Sequence, residues 1–167
     1  MFIRKAIEGD LPSLMSLFDF AKKIMRDSGN TQQWGDAYPS AEIVMRDITS
    51  EVCVVACDET TGEILATMAL IPGPDPTYST IYEGEWCDNG DYYVVHRIAA
   101  KKTGGGVAVK LLDYAFSKSP VIRIDTHRDN CIMHHVLQKY GFVYCGVIHL
   151  ANGAPRDAYS MKKNVAG

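Results

Sequence analysis

The sequence predicts an α+β domain in which a mixed sheet of about seven strands is covered by two helices on each face. Three observations support this fold class. Segments with strand or helix periodicity follow one another in the order β-α-α-β-β-β-α-β-α-β-β. One strand, a glycine turn and a helix precede the next strand, which is the pattern of a parallel crossover. The 167 residues, 47% of them hydrophobic, suit one domain with its own core, so residues 1–167 are treated as a single domain.

The first third of the chain predicts a short strand followed by two helices. Residues 2–6 have strand character, and Asp10 is expected to cap the first helix. Apolar residues at three- and four-residue spacing make that helix long and amphipathic until Gly29 ends it. Pro39 and Ser40 then open a second, shorter helix. Two helices therefore separate the first strand from the rest of the sheet.

The middle of the chain predicts a β-hairpin and a long loop. Residues 52–57 and 63–71 are apolar strands, and the turn between them has glycine near its end. Residues 72–90 then hold three prolines and three glycines and have neither helix nor strand periodicity. Loops of this length in compact domains are often functional, so this one is a candidate part of a site.

The second half predicts alternating strands and helices that end in a strand pair. The strand over residues 92–100 is broken by glycines before helical spacing resumes at Val107. Asn130 is expected to cap the last helix, and Gly141 to end it. The remaining strands are predicted at residues 121–127, 142–150 and 156–162, the last two joined by an Asn-Gly turn.

Composition excludes several classes of partner and site. A formal charge of −3 with scattered basic residues argues against a nucleic-acid ligand. No apolar run approaches membrane-spanning length and the N-terminus lacks a signal-peptide pattern, so a cytoplasmic protein without membrane contact is expected. Five cysteines, an odd number lying mostly in apolar runs, suggest reduced core thiols rather than disulfides or a metal site.

The glycine turn after the central strand predicts an anion site. A strand that feeds three glycines and then a helix directs free backbone N–H groups and the positive end of the helix dipole at one point. A tight connection without a ligand is the alternative interpretation. A P-loop is excluded because Lys110 does not follow the glycines directly, and a dinucleotide fingerprint is excluded because Val109 stands where a small residue is needed.

These residues resemble the GNAT superfamily of N-acetyltransferases. The family signature is Gln or Arg, two residues, Gly, one residue, then Gly or Ala. The segment Thr103-Gly104-Gly105-Gly106-Val107-Ala108 is similar to it in its last two signature positions and has threonine at the first. The strand Tyr92–Ala99 resembles the cofactor strand of the family, and the helix from Asn130 to the Tyr140-Gly141-Phe142 end resembles the next motif.

The resemblance implies that acetyl-coenzyme A is the cosubstrate. By this analogy the backbone of Ile98, Ala99 and Ala100 would bind the pantetheine arm as an added strand. The pyrophosphate would lie on the glycine turn. Asn130 would contact the arm from the last helix as well as capping it. The residues implied in pyrophosphate binding are Thr103, Gly104, Gly105, Gly106, Val107 and Ala108.

Acetyl transfer to an amine requires a group that removes the amine's proton and one that protonates the departing thiolate. His96 on the cofactor strand is a candidate base because histidine titrates near neutral pH. Asp125 and His127 share a strand face by alternation. They are candidates for a pair of side chains that acts as general base, or for binding the acceptor's charge. Leu137 stands where much of the family has a tyrosine acid, which leaves Tyr140 as a substitute. Structural roles remain open for all four polar residues.

The acceptor is expected to be a small-molecule or peptide amine. Acidic and aromatic side chains suit a primary amine, and two loops carry them. In this architecture those loops would cover the far side of the cleft, although anchoring aromatics in a solvated loop are an equal alternative. The candidate residues are Trp34, Tyr38, Glu83, Glu85 and Trp86.

The leading hypothesis is an N-acetyltransferase that works by direct attack in a ternary complex. A non-catalytic acyl-CoA-binding module of the same fold is the alternative, because Thr103 and Leu137 depart from the family pattern. The resemblance also implies that homodimerisation is common, and the final strands offer an edge for it.

Overall fold

The computed structural model describes residues 1–101 and 106–164 of the chain. The described residues form seven strands and four α-helices in the order that the sequence predicts. The strands are β1 (Phe2–Lys5), β2 (Cys53–Cys57), β3 (Ile64–Pro72), β4 (Tyr93–Ala100), β5 (Val121–Thr126), β6 (Val143–His149) and β7 (Pro155–Lys162). The helices are α1 (Leu11–Asp27), α2 (Ala41–Thr49), α3 (Val107–Lys118) and α4 (Cys131–Tyr140).

The strands form one mixed sheet in the order β1-β2-β3-β4-β5-β7-β6. Neighbours pair antiparallel except β4 and β5, which are parallel and are connected through α3. The crossover lies where the sequence predicted it, between the central strand and the strand at residues 121–126. The expected α+β class is therefore confirmed.

The two faces of the sheet carry separate cores. Helices α3 and α4 pack their apolar sides, including Leu111 and Leu137, against the inward residues of β2 to β5 and β7. Helices α1 and α2 pack on the opposite face, where Leu14 and Val44 meet β2, β3 and the end of β4. This arrangement confirms two helices on each face. None of the helices in the described ranges is long and apolar enough to cross a bilayer.

The helix ends agree with the sequence except at Asp10. The Ser40 side chain accepts from the amide of Ile43, and that of Asn130 from the amide of Met133, so both act as N-caps. The Asp10 carboxylate makes no capping bond to α1 and instead accepts from Arg4 and from the Ile7 amide. A short 3-10 turn, Glu8–Asp10, precedes α1 directly, so Asp10 already has helical backbone angles and its side chain cannot reach back over the first turn.

The cysteines divide into two groups. Cys53, Cys57 and Cys145 are buried, which agrees with the expectation of core thiols. Cys87 and Cys131 are exposed, so that expectation is wrong for these two. Cys87 lies in the long loop, and Cys131 is the first residue of α4, where side chains of the first turn reach solvent. All five are free thiols.

The parallel pair at the centre of the sheet separates after a short contact. Strands β4 and β5 pair only from Tyr93 with Ile122 to Val95 with Ile124. Strand β4 continues to Ala100 and stays paired with β3 on its other edge. A register shift in the β3–β4 pairing and a positive φ of 50° at Arg97 mark a bulge immediately after the separation. The bulge leaves an open backbone edge on the second half of β4.

The long loop before β4 lies against β6 and extends the sheet locally. Tyr82 exchanges backbone hydrogen bonds with Val147, 2.8 Å in each direction. Two glycines allow this contact, because a Cβ on Gly84 would stand 2.0 Å from the Cys145 carbonyl oxygen and one on Gly146 would stand 2.4 Å from that of Tyr82. The loop therefore brings Tyr82 and its neighbour Glu83 to the edge of a cleft.

Candidate functional site

A cleft of about 2070 Å³ opens where β4 and β5 separate. One wall is the second half of β4 and the start of α3. The other wall is the end of β5 with α4. The loop between α1 and α2 and the tip of the long loop cover the outer side. The strand separation therefore forms a groove in the middle of the sheet, between β4 and β5.

A histidine–carboxylate pair lies at the point of separation. His96 follows the last paired residue of β4, and its Nε2 is 2.8 Å from Oδ2 of Asp75. The other carboxylate oxygen, Oδ1, accepts from the Thr77 amide at 2.9 Å and from the Thr77 hydroxyl at 2.7 Å. Burial raises the pKa of Asp75, but the hydrogen bonds from His96 and Thr77 outweigh it and bring the value to about 2. Asp75 is therefore ionised, so Nε2 of His96 donates and Nδ1 is the nitrogen that can accept a proton.

Asp125 lies opposite His96 on β5. Val94 pairs with Arg123, so two residues further along each strand His96 and Asp125 lie on the same face. Asp125 accepts from the buried hydroxyl of Tyr78 at 3.3 Å. Burial raises the pKa of Asp125, and the charges of His96 and Arg156 oppose that rise only in part. The structure thus brings two predicted site residues, His96 and Asp125, to the same opening.

Arg97 lies in the bulge, which interrupts strand alternation, and its side chain anchors the α1–α2 side. Its Nε and Nη2 donate to the two oxygens of Asp47 at 2.7 and 2.9 Å, and its Nη1 donates to the Tyr38 hydroxyl at 3.0 Å. Trp34 packs edge-on against Tyr38 and Phe18, with ring centroids 6.2 Å and 5.7 Å apart, respectively. Trp34 and Tyr38 both line the cleft, which is the location predicted for them.

Gln33 connects the α1–α2 loop to the far wall of the cleft. Its Oε1 accepts from Nδ2 of Asn130 at 2.8 Å, from Nδ2 of Asn30 at 3.0 Å and from the Thr126 hydroxyl at 3.3 Å. Its backbone oxygen accepts from Nη2 of Arg156 at 3.1 Å. Asn130 therefore combines its capping bond with a contact across the cleft, and the loop that carries Trp34 is held in one place.

Apart from Asn130 on the opposite wall, the described residues that were predicted to hold a cofactor lie along one wall. Ile98, Ala99 and Ala100 form the unpaired edge of β4, and Gly106 and the first turn of α3 follow on the same wall. Gly106 has left-handed backbone angles, φ 72° and ψ 10°. Within the part of the chain that the structure describes, no side chain caps α3, and its first turn has no acidic residue, so the amides of Val107 and Ala108 can bind an anion. The predictions for Thr103, Gly104 and Gly105 concern residues outside those that the structure describes.

Tyr140 and Leu137 both lie on α4, but only Tyr140 reaches the cleft. Leu137 is fully buried in the core. The Tyr140 hydroxyl donates to Asp113 at 2.5 Å and accepts from Lys163 at 2.6 Å, and its ring stacks on Phe116. Burial and the Asp113 contact raise the pKa of Tyr140. These contacts favour the packing interpretation of Tyr140 over the catalytic one.

The long loop and the end of β5 place the remaining candidates differently. Trp86 does not line the cleft: its ring packs on Tyr78 at 5.1 Å and its Nε1 donates to the Tyr78 carbonyl oxygen at 3.0 Å. Glu85 is exposed and also lies outside the cleft, whereas Glu83 lines it. The loop folds back at Gly84 onto β6, which turns the later residues away, so the prediction for Trp86 and Glu85 is wrong.

His127 lines the cleft beyond the end of β5. Its Nδ1 accepts from the Asp129 amide at 3.1 Å, and burial, reinforced by the charge of Arg156, lowers its pKa. Asp125 and His127 thus have separate hydrogen-bond partners within the same cleft. His127 therefore lines the cleft, and its contact with an acceptor stays a prediction.

Three residues of the cleft, Asp75, Gln33 and Arg156, were not predicted from the sequence. Asp75 precedes Pro76 and Thr77 as the cap of a 3-10 turn, a pattern that the sequence carries but that does not predict a partner 21 residues away. Gln33 and Arg156 had no motif around them. Arg156 is 7% exposed and lines the cleft. Among the described residues, no group of three or more His, Cys, Asp or Glu side chains is arranged to hold a metal ion.

Comparison with known proteins identifies the family. No protein-family model matches the chain, and no curated protein does. A GNAT-family acetyltransferase from Streptococcus agalactiae is 33% identical, with 98% of this chain and 96% of that chain covered and a TM-score of 0.88. A GNAT-family acetyltransferase from Listeria monocytogenes is 19% identical over 97% of this chain and 94% of its own, with a TM-score of 0.70. The NatC complex bound to a Gag peptide and CoA includes a chain that is 15% identical over 98% of both chains, with a TM-score of 0.65. The coverage and identity of the streptococcal structure show that this chain belongs to the GNAT family of acetyltransferases.

Proposed function

We propose that the protein transfers the acetyl group of acetyl-CoA to a primary amine by direct attack in a ternary complex. One observation carries the proposal: the backbone edge of β4 opens next to an ionised Asp75 that holds His96. An extended thioester can lie along the open edge while a base stands at its reactive end. Membership of an acetyltransferase family supports the reaction class.

The cofactor is proposed to bind along the β4 wall. The edge of β4 over Ile98, Ala99 and Ala100 that faces away from β3 offers N–H and C=O groups to an extended pantetheine arm, which would add to the sheet as a strand does. The uncapped start of α3 offers amides to the pyrophosphate. The related NatC structure is bound to CoA, and so is a NatB complex of the same fold. Both support CoA as the cosubstrate here.

The chemistry of this chain's own residues then follows from the pair at the opening. Acetyl-CoA supplies an activated thioester. As the amine nitrogen attacks the carbonyl carbon and the C–S bond breaks, Nδ1 of His96 takes the amine's proton. Asp75 holds the ring in the required tautomer through Nε2 and stabilises the imidazolium that forms. A backbone N–H of the bulge on β4 would be the donor that stabilises negative charge on the thioester oxygen.

No tyrosine stands at the usual family position to protonate the departing thiolate, because Leu137 occupies that position and is buried in the core. The proton received by His96 can return to the thiolate through water in the open cleft. Tyr140 takes no part in this scheme, since Asp113 and Lys163 occupy its hydroxyl. The released products are the acetylated amine and CoA with its thiol restored.

The acceptor side is proposed to bind the amine through acidic and aromatic groups. Asp125 and Glu83 supply negative charge, and Trp34 and Tyr38 supply aromatic faces. Asp125 lies on the β5 wall, opposite the cofactor wall, and the other three residues belong to the loops that cover the outer side.

The test is CoA release from acetyl-CoA with amino acids, polyamines, aminoglycosides and peptides as acceptors. Products are identified by mass spectrometry. We expect turnover with one acceptor class and a loss of kcat of about 100-fold in His96→Gln, since a general base contributes about 10²–10⁴ to the rate. Tight acetyl-CoA binding with no turnover for any acceptor would instead support the acyl-CoA-binding module.

A further inference from the structure

We infer that Arg156 is a carboxylate-binding residue, so that the acceptor is a small amino acid carrying its amino group and a carboxylate on one molecule. The inference rests on the proposed function for the reaction, and it adds the substrate class. It begins from the wall of the cleft, where a buried guanidinium has no carboxylate of the described residues in direct contact.

Arg156 is buried to an extent that normally requires an ion pair. It is 7% exposed, and a charged group taken out of water is costly unless a partner compensates it. Within residues 1–101 and 106–164, no carboxylate lies within 4 Å of its guanidinium. Within the same residues its guanidinium donates only to backbone oxygens, from Nη1 to the Pro155 carbonyl oxygen at 2.9 Å and from Nη2 to the Gln33 carbonyl oxygen at 3.1 Å. The remaining N–H groups are available to a ligand, and the residue lines the cleft.

The position of Arg156 places it across the cleft from the proposed base. Asp125 on β5 pairs with Ala158 on β7, so Arg156, two residues earlier on β7, lies on the same face of the sheet. His96 on β4 shares that face with Asp125. Adjacent strands are about 4.8 Å apart, so β4 and β7 are separated by at least about 10 Å. An arginine side chain and a small amino acid between them can fill that gap.

The groups around the gap have the charge order of an amino acid. His96 with Asp75, together with Asp125, forms an acidic and basic pole on one side. Arg156 forms a cationic pole on the other side. Burial lowers the pKa of Arg156, and the negative charge of Asp125 opposes that change. Guanidinium groups bind carboxylates through two parallel hydrogen bonds, which orients the ligand as well as holding it. A carboxylate seated on Arg156 would therefore direct the neighbouring amine toward His96.

The competing explanation is that Arg156 only holds the α1–α2 loop through the Gln33 carbonyl. A purely structural role predicts loss of stability without any change in the discrimination between acceptors. A recognition role predicts a change that depends on the acceptor's carboxylate. Arg123 provides the matched control, because it is 4% exposed on the same sheet face but stacks between Trp86 and Tyr92, outside the cleft.

The experiment compares glycine, alanine, leucine, phenylalanine, glutamine and lysine, each with its α-amide and with an amidated dipeptide that begins with the same residue. CoA release gives kcat/KM, and calorimetric titration of the CoA-loaded protein gives Kd without requiring turnover. We expect at least one free amino acid to be preferred over its amide by about tenfold or more in both readouts, the size of one charge-assisted contact. Arg156→Gln should remove the preference, whereas Arg123→Gln should keep it.

Arg156→Lys retains the positive charge and tests for misfolding. We expect it to keep a reduced preference for the free acid, with a melting temperature close to that of Arg156→Gln. Equal use and equal binding of acids, amides and amidated dipeptides by the wild type would overturn the inference while leaving the acetyltransferase activity intact. An unchanged preference in Arg156→Gln would also overturn it. Failure of the proposed function is distinct: no acceptor is acetylated, and the calorimetric comparison still decides whether the carboxylate is recognised.

Discussion

Asp75→Asn should stop catalysis while leaving the shape of the site almost unchanged. Oδ1 of Asp75 accepts two hydrogen bonds from Thr77, and Oδ2 faces Nε2 of His96. In the variant the two donors of Thr77 hold the amide oxygen, so the NH2 group must face His96. The amide then donates to Nε2, the ring proton moves to Nδ1, and the ring can no longer accept a proton from the amine. A wrong tautomer and a lost charge together predict a fall in kcat of about 100-fold or more.

The assay for this variant is CoA release at saturating acetyl-CoA with the best acceptor, measured between pH 6 and pH 9. Asp58→Asn is the matched control, since Asp58 accepts from the amides of Thr60 and Thr61 and from the Thr61 hydroxyl but has no histidine partner. The control should retain the wild-type kcat. If Asp75→Asn also kept the wild-type kcat across this pH range, the assignment of His96 and Asp75 as the base would be refuted.

Three further predictions follow from the contacts of individual side chains. Tyr140→Phe should keep kcat within about twofold, because its hydroxyl serves Asp113 and Lys163; a 100-fold loss in the same assay would restore it as the acid. Arg97→Met should cost about 3–5 kcal/mol in urea unfolding because it strands the buried Asp47. The exposed Lys5→Met should cost under about 1 kcal/mol, and similar losses for both would contradict the reasoning. The pKa of Asp75 is lowered from 3.8 to about 2, so the stability that its ionisation adds is complete above about pH 4 and is lost as the pH falls through about 2. Wild type and Asp75→Asn should therefore converge in unfolding free energy over that range, and a constant difference between them would contradict the stabilising role of the Asp75 charge.

The order and type of the elements could be predicted because local patterns determine them. The caps at Ser40 and Asn130 and the glycine that ends α4 are short-range signals, and the structure agrees with them. Asp10 fails for an equally local reason, because the 3-10 turn before α1 gives its backbone helical angles. The parallel crossover was predictable because a strand, a turn and a helix of the right length precede β5.

The site could be predicted only where it follows the backbone. His96 lies on the central strand and Asp125 shares a strand face with His127 by alternation, so sequence reasoning reached both residues, but not their position opposite each other. Asp75 approaches His96 through a loop whose path depends on tertiary contacts, and no periodicity reports that path. Trp86 was misplaced for the same reason, since the fold of the loop at Gly84 turns it into a small core with Tyr78.

The most direct test of the account is a titration of the isotopically labelled protein with CoA, followed through backbone amide resonances by NMR. Binding along the open edge predicts saturable shifts at Ile98, Ala99 and Ala100 and at the start of α3, at Val107 and Ala108. The amides of β1 and of the β2–β3 hairpin, remote from the cleft, serve as internal controls. Saturable CoA binding that leaves the β4 edge and the α3 start unperturbed would contradict the central claim that the strand separation is the cofactor site.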